Sequence, residues 1–344
     1  MCCLILWVST HGCKVGRKGR LVRVTCNGEV LREVPASKLT EVIVSGRASI
    51  SSDAVQLLAE NGVPVLFMCG WRPVALLHGF FMHGTVLTRR EQMAAYGDGR
   101  GVHLAKGFVR GGLVNKAQLL RYFAASRGRS DRELADVLEE AASEVFRIAC
   151  DVEGVEGDTV DDVRFEVMGL EAEGTKVYYE AVRLLLPDGV GFERRERRPP
   201  RDPVNAALSY GYTLLDGKCL SAVAACGLEP YAGFLHADRS GKPSLILDLS
   251  EEFRQPAVDR AVISLFSRRV LGREDFKFEG GRVVLEGKGR ERLLKALNDR
   301  FKGEVRVDGS MIPLENVIFR QARMIVRYLL GKAPRYEPYV FTWH

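Results

Sequence analysis

Val102-His-Leu-Ala-Lys-Gly-Phe-Val-Arg-Gly-Gly-Leu-Val-Asn-Lys-Ala-Gln-Leu-Leu-Arg-Tyr-Phe-Ala-Ala-Ser-Arg127 is the stretch that decides the fold class. Ala105, Phe108, Val109, Leu113, Ala117, Leu120 and Ala124 recur at the spacing of a helix with one apolar face. The Gly111-Gly112 pair is an expected interruption, because glycine weakens a helix interior. Upstream the period is two. Leu21-Val-Arg-Val-Thr-Cys26 alternates and runs into Asn27-Gly28, a hairpin signal, with 30–34 as the return strand. The apolar run after Met1 and residues 41–45, 63–68 and 74–81 read as further strands. Residues 52–61 read as one short helix, capped by Ser51 or Ser52 and ended at Gly62. Downstream, helices are predicted over 132–148, 164–186, 203–215, 219–226, 244–255, 257–271, 289–298 and 313–330. Residues 153–162 and 191–202 read as loops, and 332–344 as a terminal segment lying on the surface. The chain is therefore α+β. An N-terminal β-rich domain with one short helix (1–88) precedes a larger all-α-helical domain (89–344).

Composition bounds the function. The chain has 344 residues, 46% of them apolar, enough for two cores. Lys and Arg number 50 against 44 Asp and Glu, a net charge of +6 that permits an anionic partner. None of the eight cysteines forms a C-x-x-C pair. They read as reduced thiols of a cytoplasmic protein. No run approaches the roughly 18–20 apolar residues of a membrane span. No G-x-x-x-x-G-K-[ST] loop is present, so no nucleotide cofactor is indicated.

Two places combine residues that could carry chemistry. Glu173, Lys176, Glu180 and Arg183 form the solvated face of one helix. Glu171 shares the other face with Gly174, Tyr178, Val182 and Leu185. A carboxylate there needs a partner. One reading is a buried hydrogen bond or an Arg pair; the other is a metal ion or a proton-transfer role. The second place is 233–254. His236 ends an apolar run, and Asp248 and Glu251 stand three apart, with Glu252 next. Early-turn acids suit the helix dipole, and a lone histidine suits a core. Together they could also converge with Glu171 on a divalent cation, Mg2+ or Mn2+. The loop Gly191-Phe-Glu-Arg-Arg-Glu-Arg-Arg-Pro-Pro-Arg201 has five arginines in eleven residues. It reads either as a mobile solvated loop or as a phosphate contact.

Several ordered motifs carry a resemblance. Arg201-Asp-Pro-Val-Asn-Ala-Ala-Leu-Ser-Tyr-Gly-Tyr-Thr-Leu-Leu215 resembles a signature of the CRISPR-associated spacer-acquisition endonucleases, the Cas-one family. Met168-Gly-Leu-Glu171 is similar to another. So is Gly233-Phe-Leu-His236 followed by Ser244-Leu-Ile-Leu-Asp-Leu-Ser-Glu-Glu-Phe-Arg254. Val42 to Leu58, Gly62 to Phe67, Thr88 to Gln92 and Phe319 to Arg323 extend the likeness over nearly the whole chain, in order. The resemblance implies a β domain and a helical catalytic domain, a homodimer formed through the β domains, and a small Cas-two partner. It implies insertion of short DNA fragments into a CRISPR repeat: a 3′-hydroxyl attacks a phosphodiester, and water in its place gives nuclease activity. It implies catalytic and metal-binding roles for Glu171, His236 and Glu251, with Asp248 as an auxiliary metal ligand and Glu252 as the alternative third ligand. An imidazole ligand must be neutral, so activity should fail at acid pH. DNA contacts are expected from Arg194, Arg195, Arg197, Arg198, Arg201, Lys242 and Arg254, with Tyr178 and Tyr210 beside the signatures. The alternatives are a structure-specific repair nuclease and a non-catalytic DNA-binding scaffold on the same fold.

Overall fold

The computed structural model describes residues 4–69, 72–79, 85–128, 130–197 and 199–343. Two compact units divide the chain, Met1–Gly84 and Thr85–His344. In the first, alternating strands form two four-stranded sheets. β1 (Leu4–Val8) opens one of them, and β2 (Cys13–Lys18), β3 (Leu21–Cys26) and β4 (Glu29–Pro35) form an antiparallel meander in the other. Asn27 and Gly28 both take positive φ, 51° and 85°, as their tight turn requires. β5 (Leu39–Val44) pairs parallel with β1, and the short β6 (Ser49–Ile50) pairs parallel with β2. α1 (Ser52–Glu60) starts where the Ser51 hydroxyl accepts Ala54 N–H at 3.2 Å. β7 (Val65–Cys69) and β8 (Arg72–Leu77) complete the order β1-β5-β7-β8, beside β4-β3-β2-β6. Leu6, Val15, Val22, Val42, Leu58 and Val65 lie in the shared core. The far end of the expected strand over 74–81 lies outside the described residues.

The second unit is helical. α2 (Thr85–Ala95) leads to α3 (Gly99–Arg127), α4 (Arg132–Gly154) and α5 (Val160–Leu185), which pack on one another. α3 is unbroken at Gly111-Gly112. These glycines meet close packing: a Cβ on Gly111 would lie 2.6 Å from Pro338 Cβ, and one on Gly112 3.1 Å from the Glu251 carbonyl. α6 (Pro203–Ala225) is one helix rather than two, capped by Asp202, which accepts Asn205 N–H at 2.8 Å. α7 (Ser244–Ser250) ends earlier than the periodicity predicted. An irregular turn follows at 251–253, then a wide π-type turn, Arg254–Asp259, which runs into α8 (Arg260–Ser267).

Two hairpins supplement the helices. β9 (Phe276–Glu279) pairs with β10 (Arg282–Leu285), and after α9 (Gly287–Lys302), β11 (Glu304–Val307) pairs with β12 (Ser310–Pro313). Their four-residue strands are too short to declare a period. α10 (Leu314–Leu329) closes the regular structure. The tail beyond it runs along the surface, with Lys332, Arg335 and Glu337 exposed, but it is anchored by Tyr336, Tyr339 and Phe341, which are buried. No helix among the described residues is long and apolar enough to cross a membrane.

Candidate active site

The site lies in the helical unit and is built around α7. Asp248 is fully buried there. Its carboxylate accepts the backbone N–H groups of Phe234, Leu235 and His236 at 2.6, 3.1 and 3.0 Å. The His236 Nδ1 lies 2.7 Å from Asp248 Oδ1. A carboxylate can only accept, so Nδ1 carries the proton and the other ring nitrogen is left for a ligand. Gly233 lets the loop close on the helix, because a Cβ there would sit 2.6 Å from Ser244 Cβ and 2.8 Å from Asp248 Oδ2. Asp248 was expected as an auxiliary metal ligand; in this structure its oxygens are engaged by the loop N–H groups and the imidazole, an arrangement that positions His236.

Glu251 and Glu252 part company on the turn after α7. Glu251 pairs with the Arg254 guanidinium, and its Oε2 is buried without a hydrogen-bond partner. Glu252 has a different set of partners. It accepts the Tyr336 hydroxyl, Gln321 Nε2 at 3.0 Å and Tyr339 N–H at 2.7 Å. Burial pushes its carboxyl up to about 7, against these hydrogen bonds. The sequence put Glu251 first and left Glu252 as the alternative; the packing gives the two acids different partners.

Glu171 projects from α5 at the rim of the site, its side chain 22% exposed. Thr175, one turn on, donates to Oε1 at 2.6 Å, and Lys116 from α3 lies 3.5 Å from the same oxygen. Burial works against the charge. The Lys116 ammonium, the Thr175 hydrogen bond and the Arg254 and Arg197 guanidiniums overcome it, holding the carboxyl below the usual carboxylate range. Gly174 admits α3 close by, since a Cβ there would meet Leu113 Cδ2 at 2.4 Å.

Arg254 joins these parts. Burial disfavours its charge, but Glu251, Asp216, Tyr212 and Glu171 together stabilise it. Asp216, on α6, is a site residue that sequence reasoning missed. Burial pushes its carboxyl up to about 6, opposed by Arg254; Glu251 and His236 also act on it, and its Oδ1 has no hydrogen-bond partner. Lys116 was missed too. The signals available were a lysine next to the apolar positions Leu113 and Ala117 of α3 and an aspartate closing the apolar run of α6.

Among the described residues, no group of three or more His, Cys, Asp or Glu side chains stands close enough to hold a metal ion in the arrangement seen. Cations of the chain meet the charges instead, Lys116 at Glu171 and Arg254 at Glu251. The donor set still fits a divalent ion. It offers two carboxylates, an imidazole oriented through Nδ1, and the unpartnered Glu251 Oε2.

The residues expected to contact DNA separate into an inner and an outer set. Tyr178 is fully buried, and its hydroxyl donates to Asp259 Oδ2 at 2.9 Å, so it has no surface to offer DNA. Tyr210 is also buried. Arg254 is held inside by Glu251. Arg195 is a brace: it donates to Asn205 Oδ1 at 2.8 Å and Ser209 Oγ at 3.0 Å, and lies over the Tyr212 ring. Arg194, Arg197 and Arg201 are exposed, the first and last near Glu196. Burial first, then Arg239, Arg197 and Arg164, lower the Lys242 ammonium, against Asp248. A cluster of like charges therefore borders the carboxylates. Arg198 lies outside the described residues.

The fold and site together define a class: a two-unit α+β protein with an acidic, imidazole-bearing centre in its helical unit, rimmed by cations. Residues 6–299 match the model of the family described as CRISPR associated protein Cas1. A CRISPR-associated endonuclease Cas1 of Archaeoglobus fulgidus is 38% identical over 344 residues, covering 98% of this chain and 99% of that one. Another, of Thermus thermophilus, is 38% identical over 331 residues, 95% of each. Among solved structures, a casposase bound to an integration product superposes with a TM-score of 0.77 at 21% identity, covering 97% of this chain and 92% of that one. A Cas1 protein from Thermotoga maritima gives 0.75 at 19%, covering 98% and 100%. The chain belongs to the Cas1 family of CRISPR-associated endonucleases.

Proposed function

We propose that this chain is a divalent-metal-dependent DNA endonuclease and integrase of CRISPR adaptation, joining the 3′-hydroxyls of short DNA fragments to a CRISPR repeat. The observation that carries the reading is the grouping at Arg254. Glu251 pairs with it and keeps a buried, unpartnered oxygen. Glu171 lies within its electrostatic reach, and Asp216 links the group to His236. Glu171, His236 and Glu251 would hold Mg2+ or Mn2+. When bound, the ion would offset the charge that develops on a phosphate oxygen during in-line displacement. Asp248 would hold the His236 ring through Nδ1, leaving its other nitrogen to bind the ion. Lys116 and Thr175 keep Glu171 ionised. Arg194, Arg197, Arg201 and Lys242 would take strand phosphates at the rim. The reaction exchanges one phosphodiester for another, so it draws on no nucleotide cofactor.

The names of the relatives support the nuclease part of this reading, and the casposase bound to its product supports the joining part. A structurally similar chain occurs in a Cas6-RT-Cas1–Cas2 complex, which supports a Cas2 partner. Two copies of this chain acting with Cas2 complete the proposal.

The test is strand transfer into supercoiled DNA carrying a repeat, with Cas2, a labelled 3′-hydroxyl fragment and Mn2+ or Mg2+. Labelled plasmid should form with the native protein and vanish with EDTA and with His236→Ala. Joining by His236→Ala at the native rate would reject the site. Cutting without joining would favour a repair nuclease.

A further inference from the structure

We infer that the segment Tyr336–Phe341 is a strap that positions Glu251, the carboxylate on the irregular turn after α7. This rests on the metal reading of Glu251 given above. Residues 251–253 lie in neither a regular helix nor a strand. Within the turn their backbone N–H groups make short-range hydrogen bonds, Glu251 N–H to Asp248 O at 3.2 Å and Phe253 N–H to Ser250 O at 3.0 Å. A side chain on such a turn takes its direction from whatever fixes the flanking residues.

The strap supplies that fixing. The Glu252 carboxylate accepts the Tyr336 hydroxyl and Tyr339 N–H. The Phe253 ring stacks on Tyr339, centroids 5.4 Å apart and planes 10° apart. Asn115, buried on α3, ties both chains together. Its amide donates to the Glu252 and Tyr339 carbonyls at 2.8 Å each, and its oxygen accepts Phe341 N–H at 2.7 Å. The α3 glycines make the approach possible. At Gly107 a Cβ would press on the Tyr336 ring at 3.1 Å, and at Gly111 one would strike Pro338. Strap and α3 thus grip Glu252 and Phe253, and Glu251 has only the site to face. Tyr336 and Asn115 are positioning residues.

The experiment uses the full chain and two variants, Tyr336→Phe and Asn115→Ala, compared with Glu171→Gln. Tyr336→Phe is isosteric and removes one hydroxyl. Mn2+ binding is read from the electron paramagnetic resonance of free Mn2+, at a temperature where circular dichroism shows each protein folded. The native chain should bind Mn2+, and Glu171→Gln should lose binding. Tyr336→Phe and Asn115→Ala should each weaken it by roughly three- to ten-fold, below the range of residues that touch a ligand directly. Native affinity in both strap variants, with binding lost in Glu171→Gln, would overturn the strap and leave the metal site standing. Absence of Mn2+ binding by the native chain would overturn the metal reading, and the strap role with it.

Discussion

Glu252 shows how one residue's surroundings set its chemistry. Its folded carboxyl is raised to about 7 by burial. A carboxyl with a raised value binds its proton more tightly when folded. Its contribution to stability is therefore present below the ordinary carboxylate range and is lost as pH rises through about 7. Asp216, raised to about 6, acts in the same sense at lower pH. Urea unfolding followed from pH 4 to pH 8 should show stability falling as these groups ionise. Glu252→Gln should flatten the upper part of that fall and leave the Asp216 part. An unchanged profile would show that Glu252 titrates elsewhere. The contrast with Asp248 is instructive. Asp248 is as buried, but its oxygens accept three backbone N–H groups.

At the scale of elements, α3 is the beam on which the site is assembled. Its glycines admit Tyr336, Pro338 and Glu251, and its polar residues Asn115 and Lys116 reach the strap and Glu171. Gly111→Val would add helix propensity at an interior position, yet its side chain would collide with Pro338. Overpacking of this kind costs about 1–3 kcal/mol. Chemical denaturation should show that loss, whereas a gain would mean that the tail gives way freely. A second beam is the Tyr178, Tyr212 and Asp259 network. The Tyr178 and Tyr212 hydroxyls donate to the two Asp259 oxygens at 2.9 and 2.5 Å, binding α5 and α6 to the turn that follows Arg254.

For the whole molecule, the net charge of +6 matters less than where the cations stand. Arg195 and Arg254 are built into the interior, while Arg197 and Lys242 are at the rim. DNA affinity should therefore fall steeply with salt. Arg197→Ala and Lys242→Ala should each reduce the slope of log affinity against log salt by about 1. Arg195→Ala should instead lower thermal stability through its lost braces. Fluorescence anisotropy across a salt series, with melting curves, separates the two groups. Equal slopes in all three variants would remove the rim from the binding surface.

The sequence by itself determined the α+β class, the short helix among strands, and the motifs around Glu171, His236 and Glu251. Those signals are local: a period of two or of 3.6, a turn dipeptide, a run of ordered residues. What it left open depended on partners distant in the chain. The Gly111-Gly112 pair looked like a break, because the atoms that need the space belong to Pro338 and Glu251. The anchoring of the tail was not legible, because the groups that bury Tyr336, Tyr339 and Phe341 belong to α3 and the turn after α7. The sequence left Glu252 as the alternative to Glu251; in the structure one meets Tyr336 and the other Arg254. Tertiary structure decided these points, since the direction and the ionisation of a buried side chain are set by the groups packed against it, whatever their distance along the chain.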